Sequence, residues 1–381
     1  MLNSHFKLGI IGGGIIGTYT AYLASKKGIN VELFERTPKK IWLNDPLITR
    51  RCGEGIWKKK LENAGIKLSL DSPPKYLENF TTTLLLGRLQ QNKITFLKGK
   101  IDPYLFINRQ SIEKNFYCQS KRKGSIWHFG KNIDNFPNWQ KKNNFNLILG
   151  AWGTNPNLTN QVVKDKYHQE FVLTCQHTFI NVNSLKIGNA KTIILTDDPT
   201  IRYFYIFPKE KGNSVEANIG IGFNELNIKN PFSKLEQFIK INPLGALTKA
   251  KYQPVRSFLK IVCSGPPMVK DNLLSNKLLL IGDAGFNTDA VSGGGIGFGL
   301  WAAKEAIESC YSQNPQKEFY ERLKPLTEDL KKSYQISKKL YIKNTKERKK
   351  INDCFFANAK EVIKTGGFLS LGKVAKEILA N

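Results

Sequence analysis

The first forty residues change twice in their pattern of apolar and polar positions. Lys7 to Ile11 is a short apolar run, which predicts a buried parallel strand, and Gly12 to Gly14 form a bend after it. From Ile15 to Gly28 the apolar residues recur at helical spacing, and the segment ends on two lysines and a glycine, as many helices do. Asn30 to Phe34 predicts a second strand that ends at Glu35. The pattern therefore predicts a βαβ unit with a glycine-rich turn.

This turn has the spacing of a dinucleotide-binding site. Glycines permit a tight turn and close backbone approach to a diphosphate, helix N–H groups face that diphosphate, and an acid at the end of the second strand accepts a hydrogen bond from a ribose hydroxyl. A glycine-rich turn without a ligand is the alternative. The residues predicted to line this part of the site are Gly12, Gly14, Ile15, Ile16, Gly17, Glu35 and Arg36.

A second glycine-rich segment lies near the other end of the chain. Lys277 to Ile281 predicts a central strand, an aspartate follows it, and three consecutive glycines then open an apolar helix. This arrangement resembles the second FAD contact of the p-hydroxybenzoate hydroxylase-like flavoproteins. The resemblance implies that Asp283 holds a ribityl hydroxyl and that the glycine backbone approaches the flavin ring. An NAD dehydrogenase needs no such second site, so FAD is the predicted cofactor. The predicted residues here are Gly282, Asp283, Gly293, Gly294, Gly295 and Ile296.

Three further segments narrow the resemblance. RRCGEGIWKKKLENAGI from Arg51, INRQSIEKNF from Ile107 and RYFYIFPKEKG from Arg202 are similar to motifs of the geranylgeranyl reductases. The resemblance runs from about residue 7 to about residue 310. It implies a two-domain flavoprotein that saturates isoprenoid double bonds, with Arg109 beside the flavin. The other cofactor-binding residues that it implies are Arg51, Cys52, Gly53 and Glu54.

The chain departs from the related flavoproteins at three points. Tyr205 stands where the reductases usually have tryptophan, so its stacking role is open. Trp152 replaces an aspartate that hydroxylases use in handling NADPH and flavin, so the electron donor, NAD(P)H or ferredoxin, is open too. Asp289 and Ala290 replace the familiar Asn-Pro before the glycines, which alters the loop over the ring.

Alkene reduction needs a hydride on one carbon, a proton on the other and the exclusion of water. Cys52 is the first candidate for the proton, because its glycine neighbours let it approach the ring and a thiol can relay a proton; a small buried hydrophobe is the alternative. Tyr203 is a second candidate, either as proton donor or at the substrate end, against a packing role, and Tyr205 completes the catalytic set. Glu54 either fixes the cysteine loop or is a solvated carboxylate.

The segments between these motifs predict the remaining architecture. Aromatic and β-branched runs at 171–180, 192–196, 203–207 and 215–223 predict antiparallel strands, and 232–240 and 244–250 predict helices. The predicted fold class is α/β: a discontinuous Rossmann-like FAD-binding domain, an inserted antiparallel-sheet substrate domain of α+β type and a C-terminal helical region broken near Pro325. The predicted bounds are 1–75, 101–168 and 265–312 for the FAD-binding domain, 76–100 and 169–264 for the substrate-binding domain, and 313–381 for the helical region.

The charge is strongly basic. Fifty-eight Lys and Arg residues against 31 Asp and Glu give a net charge of +27, which attracts polyanions unless it only reflects biased residue usage. A dense basic run from Lys331 to Lys350 forms either a membrane-facing or a solvated helix face. Six cysteines without a Cys-x-x-Cys pair and four histidines indicate no metal site, and the thiols and the lack of a signal peptide indicate a cytoplasmic protein, peripheral at the membrane if the basic face binds lipid.

These observations predict an FAD-dependent reductase of geranylgeranyl or other polyprenyl chains on lipids or diphosphates. A flavin monooxygenase that hydroxylates an aromatic or terpenoid substrate is the first alternative, because the fold does not fix the reaction. A basic membrane-surface or nucleic-acid binder with structural or lost flavin is the second, although no specific nucleic acid is expected.

Overall fold

The computed structural model describes residues 6–45, 52–91, 93–164, 170–182, 185, 190–211, 213–240 and 254–375. The predicted site residue Arg51 and the predicted helix at 244–250 lie outside these ranges. Among the described residues no helix is both long and apolar enough to span a bilayer.

The smaller of two sheets is parallel and has five strands. Its strands stand in the order β13-β7-β1-β2-β6, and every neighbouring pair is parallel. Except at Lys7, β1 is buried, as expected for a central strand covered by helices on both faces. The strands are β1 (Lys7–Ile11), β2 (Asn30–Glu35), β6 (Ile126–Phe129), β7 (Leu147–Gly150) and β13 (Leu278–Leu280).

The larger sheet has eight strands in the order β12-β8-β11-β10-β9-β4-β5-β3, antiparallel except for the pair β4 and β9. The short strand that begins at Gly55 pairs with the end of the strand that finishes at Ile107, so both belong to this sheet. The domain bounds stay a prediction. The strands are β3 (Gly55–Trp57), β4 (Leu77–Gln90), β5 (Lys93–Ile107), β8 (Phe171–Phe179), β9 (Ala190–Thr196), β10 (Ile201–Lys211), β11 (Ser214–Phe223) and β12 (Arg256–Cys263).

Twelve α-helices are described. They are α1 (Ile15–Lys26), α2 (Lys39–Asn44), α3 (Lys58–Asn63), α4 (Arg109–Arg122), α5 (Phe136–Lys142), α6 (Pro156–Asn160), α7 (Pro231–Lys240), α8 (Ile296–Ser309), α9 (Pro315–Arg322), α10 (Lys324–Leu340), α11 (Thr345–Lys364) and α12 (Leu371–Val374). The predicted break near Pro325 is the boundary between α9 and α10, where proline occupies the first turn of the new helix.

Strand β10 shows how the larger sheet faces the site. Successive side chains of a strand point to opposite faces, so Phe204 and Ile206 share one face and Tyr203, Tyr205 and Phe207 share the other. Phe204 and Ile206 pack with residues of α7, whereas the second set packs with aromatic residues of β5 and with the C-terminal helices. Both faces are buried, and the second one meets the cofactor-binding segments.

Candidate functional site

The two glycine-rich segments, from opposite ends of the chain, lie against each other. The Ile16 side chain at the start of α1 lies 3.0 Å from the position of a Cβ at residue 282, and it also contacts Gly299 of α8. Gly282 has a φ of +65°, which a side chain would strain. The first turns of α1 and α8 are therefore in contact beside the end of β13.

The first glycine turn is held from behind. One carboxylate oxygen of Glu35 accepts from the Gly13 amide at 2.7 Å, and the other accepts from the Thr37 amide at 2.7 Å. The indole N–H of Trp42 donates to the Gly13 carbonyl oxygen at 2.8 Å. Glu35 thus stands at the end of β2 against the turn, while Arg36 is exposed. This position suits a carboxylate that accepts from a ribose hydroxyl beside the turn.

Arg109 supplies positive charge in front of the same turn. Its Nη2 atom lies 3.9 Å from the position of a Cβ at residue 14. The guanidinium also bonds Glu113 on the next turn of α4, at 2.9 Å and 2.7 Å. Burial lowers the pKa of Arg109, but Glu113 outweighs burial and the pKa is raised, so the group stays charged. A glycine turn facing a guanidinium fits the diphosphate of a dinucleotide.

Asp283 is the centre of the second segment. Its carboxylate accepts from Thr288 Oγ1 at 3.1 Å, Thr154 Oγ1 at 3.3 Å and Lys260 Nζ at 3.3 Å. A Cβ at residue 295 would lie 3.0 Å from the same carboxylate, which explains why glycine stands there. Burial raises the pKa of Asp283, but Lys260 outweighs burial and the pKa is lowered. An ionised, partly accessible acceptor is what a ribityl hydroxyl needs.

We predict that Lys260→Met lowers the free energy of unfolding at neutral pH and that this deficit shrinks as the pH falls below about 4. Because the pKa of Asp283 is lowered in the folded protein, its stabilisation is present above about pH 4 and is lost as the pH falls through the folded value. Without Lys260 the folded pKa of Asp283 rises, so the variant has less of this stabilisation at neutral pH and less to lose in acid. Urea unfolding of the cofactor-free protein between pH 3 and 7 measures it. Lys304→Met is the control, since Lys304 is similarly exposed and pairs with Glu305. Identical acid limbs for Lys260→Met and the unsubstituted protein would contradict the prediction.

The Cys52 loop lies on the aromatic face of the larger sheet. A Cβ at residue 53 would lie 3.2 Å from the Tyr205 ring and 3.3 Å from the Phe207 ring, and one at residue 55 would overlap the Tyr104 ring. Cys52 is only partly buried, and its Sγ accepts from the Glu54 amide at 3.2 Å. The loop therefore places the thiol beside the aromatic face of the larger sheet.

Glu54 anchors this loop through a buried ion cluster. Lys209 Nζ lies 2.6 Å from Glu54 Oε2, 2.8 Å from Glu216 Oε1 and 3.1 Å from Glu78 Oε2, and the lysine side chain is 2% exposed. These four residues are called the Lys209 cluster below. The other Glu54 oxygen accepts from the Arg109 amide at 3.2 Å. Glu54 is 5% exposed and has a φ of +65°, so tertiary contacts hold it in a costly conformation.

Tyr203 and Tyr205 lie side by side on β10, and both hydroxyl groups form hydrogen bonds. Tyr205 Oη donates to Gln176 Oε1 at 2.6 Å, and Tyr203 Oη lies 3.0 Å from Thr174 Oγ1. A Cβ at residue 293 would lie 2.5 Å from Tyr203 Oη, so the sheet closely meets the second glycine segment. Burial raises the pKa of both tyrosines. At neutral pH both are therefore uncharged and their hydroxyl groups bond the sheet.

Sequence reasoning missed Lys260, Lys209, Thr288 and Trp42. Lys260 lies on the same face of β12 as Phe258 and Val262, but Leu259 and Ile261 on the other face are apolar as well, so no alternation marked the lysine as inward-facing. The partners of Lys209 and Trp42 come from distant segments, so no local pattern identifies them.

The sequence is similar to those of known proteins. A family model described as an NAD(P)-binding Rossmann-like domain matches residues 10–39. The digeranylgeranylglycerophospholipid reductase of Methanococcus vannielii is 26% identical over 339 residues, which cover 84% of this chain and 81% of that protein. The enzyme of the same name from Thermoplasma volcanium is 26% identical over 79% of this chain and 78% of its own. The chain is related to the geranylgeranyl reductases.

Solved structures agree on the fold. A geranylgeranyl bacteriochlorophyll reductase-like protein from Thermoplasma acidophilum superposes with a TM-score of 0.73, at 18% identity and 98% coverage of both chains. The halogenase PltM in complex with phloroglucinol and FAD gives a TM-score of 0.63 at 12% identity, covering 94% of this chain and 81% of its own. The predictions of the fold class, of an FAD-type oxidoreductase and of its relation to the reductases are confirmed. The individual site residues stay predictions.

Proposed function

We propose that this protein is an FAD-dependent reductase that saturates carbon–carbon double bonds of geranylgeranyl or other polyprenyl chains on lipids or diphosphates. The observation that carries the proposal is that the Cys52 loop and the second glycine segment both contact the tyrosines of β10. This place is lined by aromatic side chains and holds one partly accessible thiol. The reductase names of its relatives support the same chemistry.

The residues present suit the successive parts of FAD, from its adenosine to its flavin ring. Gly12, Gly14 and Gly17 with Arg109 would hold the diphosphate, and Glu35 would accept from the adenosine ribose. Asp283 would accept from the ribityl chain, and the backbone at residues 293–295 would approach the ring. When bound, FAD supplies the hydride that one alkene carbon receives.

A residue of the protein must supply the proton that the other alkene carbon receives. Tyr205 donates its only hydroxyl proton to Gln176, and Tyr203 shares a hydrogen bond with Thr174. Cys52 donates no hydrogen bond in its described contacts, and the Glu54 amide would stabilise its thiolate after transfer. We therefore assign the proton to Cys52 and the closure of an apolar substrate end to Tyr203 and Tyr205. The electron donor is NAD(P)H or ferredoxin.

A peripheral contact with an anionic membrane fits the same substrate. Between residues 331 and 350 the exposed basic residues are Lys331, Lys332, Lys338, Lys343, Lys346, Lys349 and Lys350. Such a face gains about 1 kcal/mol for each basic residue near an anionic surface. A cytoplasmic protein that docks through it would reach a long-chain lipid without a spanning helix.

The decisive test is anaerobic. The purified protein is loaded with FAD, photoreduced and mixed with a geranylgeranyl lipid or geranylgeranyl diphosphate; we expect flavin reoxidation and a saturated product by mass spectrometry. Failure of both to reoxidise a flavin that oxygen still reoxidises would contradict a reductase. Hydroxylation of an added aromatic compound, with NADPH-dependent oxygen consumption, would instead support the monooxygenase alternative.

We predict that Cys52→Ala keeps its bound flavin and loses turnover by about 10²- to 10⁴-fold, the contribution of a positioned general acid. Single-turnover reoxidation after anaerobic mixing measures the loss. Cys118→Ala, which removes an exposed thiol on α4, is the control and keeps full turnover. A Cys52→Ala protein with full turnover would remove this residue from the mechanism.

A further inference from the structure

The loop of residues 289–294, which precedes α8, satisfies many of its own hydrogen bonds. Asp289 Oδ1 accepts from the amides of Val291 at 3.0 Å and Ser292 at 2.7 Å. The Gly293 amide donates to the Asp289 carbonyl at 2.8 Å, and the Asp289 amide donates to the Gly294 carbonyl at 3.0 Å. These bonds fold the loop tightly. They leave two buried carbonyl groups, those of Ala290 and Val291, that need donors from elsewhere.

Two side chains from distant segments supply those donors. Arg202, at the start of β10, donates from Nε to the Ala290 carbonyl at 2.9 Å and donates from Nη2 to the same oxygen. Tyr341, directly after α10, donates from Oη to the Val291 carbonyl at 2.9 Å. The Arg202 guanidinium lies over the Tyr341 ring at 4.5 Å, so each side chain also holds the other.

The back of the loop is thereby fixed from two directions. Both carbonyl groups accept from side chains of the larger sheet and of the C-terminal region. The first amide groups of a helix have no acceptor within that helix, so those of α8 suit a ligand. The loop also follows Asp283, which fits the ribityl chain, and closely meets Tyr203.

We infer that Arg202 and Tyr341 are positioning residues that set the 289–294 loop against the flavin ring; this inference rests on the proposed function. They act through the two carbonyl groups. The C-terminal region, which lies beyond the reductase-like motifs, therefore contributes to cofactor geometry through Tyr341.

The test compares Tyr341→Phe with Tyr334→Phe. Each change removes one tyrosine hydroxyl from the same part of the chain, but Tyr334 donates to Glu170 and not to the loop. In the cofactor-free protein we expect amide hydrogen exchange in a peptide covering 289–295 to become about 3- to 10-fold faster in Tyr341→Phe, as the loss of one hydrogen bond implies. FAD should bind more weakly by a similar factor, with a shifted flavin absorption band.

The outcomes separate the two proposals. Exchange that accelerates only in this loop, together with weaker FAD binding, in Tyr341→Phe and not in Tyr334→Phe, supports the inference. Unchanged exchange, acceleration spread over the whole chain, or unchanged FAD affinity and spectrum overturns it. If the unsubstituted protein binds no FAD, the proposed function fails instead, and the flavin role of the loop fails with it.

Discussion

Lys209→Met should lower the free energy of unfolding by about 3 to 5 kcal/mol, because it removes the cation that bonds three buried carboxylates. The lysine is 2% exposed and lies within 3.1 Å of all three glutamates. Burial lowers the pKa of Lys209, but the glutamates outweigh it and raise the pKa, so the lysine is charged at neutral pH. Equilibrium unfolding in guanidinium chloride at pH 7 measures the loss.

The pH dependence of that loss identifies its cause. Burial already raises the pKa of Glu78, and removing the lysine, which lowers it, raises the pKa of Glu78 further. A group whose folded pKa is raised is fully stabilising below its unfolded pKa, and that stabilisation is lost as the pH rises through the folded pKa. The deficit of Lys209→Met should therefore be small near pH 4 and full at pH 7.

Lys338→Met provides the control for a surface pair. Lys338 bonds Glu170 at 2.9 Å, but its side chain is 55% exposed, so its removal should cost less than about 1 kcal/mol. A Lys209→Met deficit that is equally small, or that does not change between pH 4 and 7, would contradict the ion-cluster explanation.

Glu54 connects the Lys209 cluster to the candidate site. The same carboxylate that bonds Lys209 also accepts from the Arg109 amide, and the Glu54 amide donates to Cys52 Sγ. The Lys209 cluster thus connects the larger sheet, the start of α4 and the thiol. Weakening the cluster should disturb the thiol and the diphosphate-facing arginine together.

The pattern of apolar and polar residues predicted the strands and helices whose structure follows from their own sequence. The strands at Lys7–Ile11 and Asn30–Glu35 and the intervening helix match the apolar periodicity closely, because these elements are buried in a regular parallel layer. Four strands of the larger sheet, β8 to β11, were also predicted, because their aromatic and β-branched runs are separated by turn residues. The long strands β4 and β5 were not predicted, since they mix lysine, threonine and glycine with apolar residues. They form strands because they pair with each other.

The candidate site shows the same division. The glycine spacing was found because the turn requires it locally, and Asp283 was found through the resemblance to known flavoproteins. Glu54 in a left-handed conformation, the cation that it bonds on β10, and the Tyr341 hydroxyl depend on contacts between distant segments. Single-sequence reasoning offers no signal for such contacts, so it yielded the ligand class and left the supporting residues unseen.

Gly17→Ala and Gly14→Ala should separate a glycine needed by the fold from one needed by the cofactor. A Cβ at residue 17 would overlap the Gly12 carbonyl oxygen, a backbone atom that cannot rotate away. Gly12 has a φ of +108°, and Ala151 lies behind it, so the turn cannot open without moving β1. We expect Gly17→Ala to destabilise the cofactor-free protein by about 1 to 3 kcal/mol or more, and to lose FAD binding with it.

Gly14→Ala should behave differently, because its φ is −74° and a Cβ there lies 3.9 Å from the nearest distant atom, Arg109 Nη2. The cofactor-free protein should unfold within about 0.5 kcal/mol of the unsubstituted one. Its FAD affinity should nevertheless fall by about tenfold or more, since the methyl group would stand where the diphosphate approaches the backbone. Chemical unfolding without FAD and fluorescence titration with FAD measure the two quantities separately. Unchanged FAD affinity in Gly14→Ala would show that this turn does not hold the diphosphate, whereas unchanged stability in Gly17→Ala would contradict the tight geometry of the turn itself.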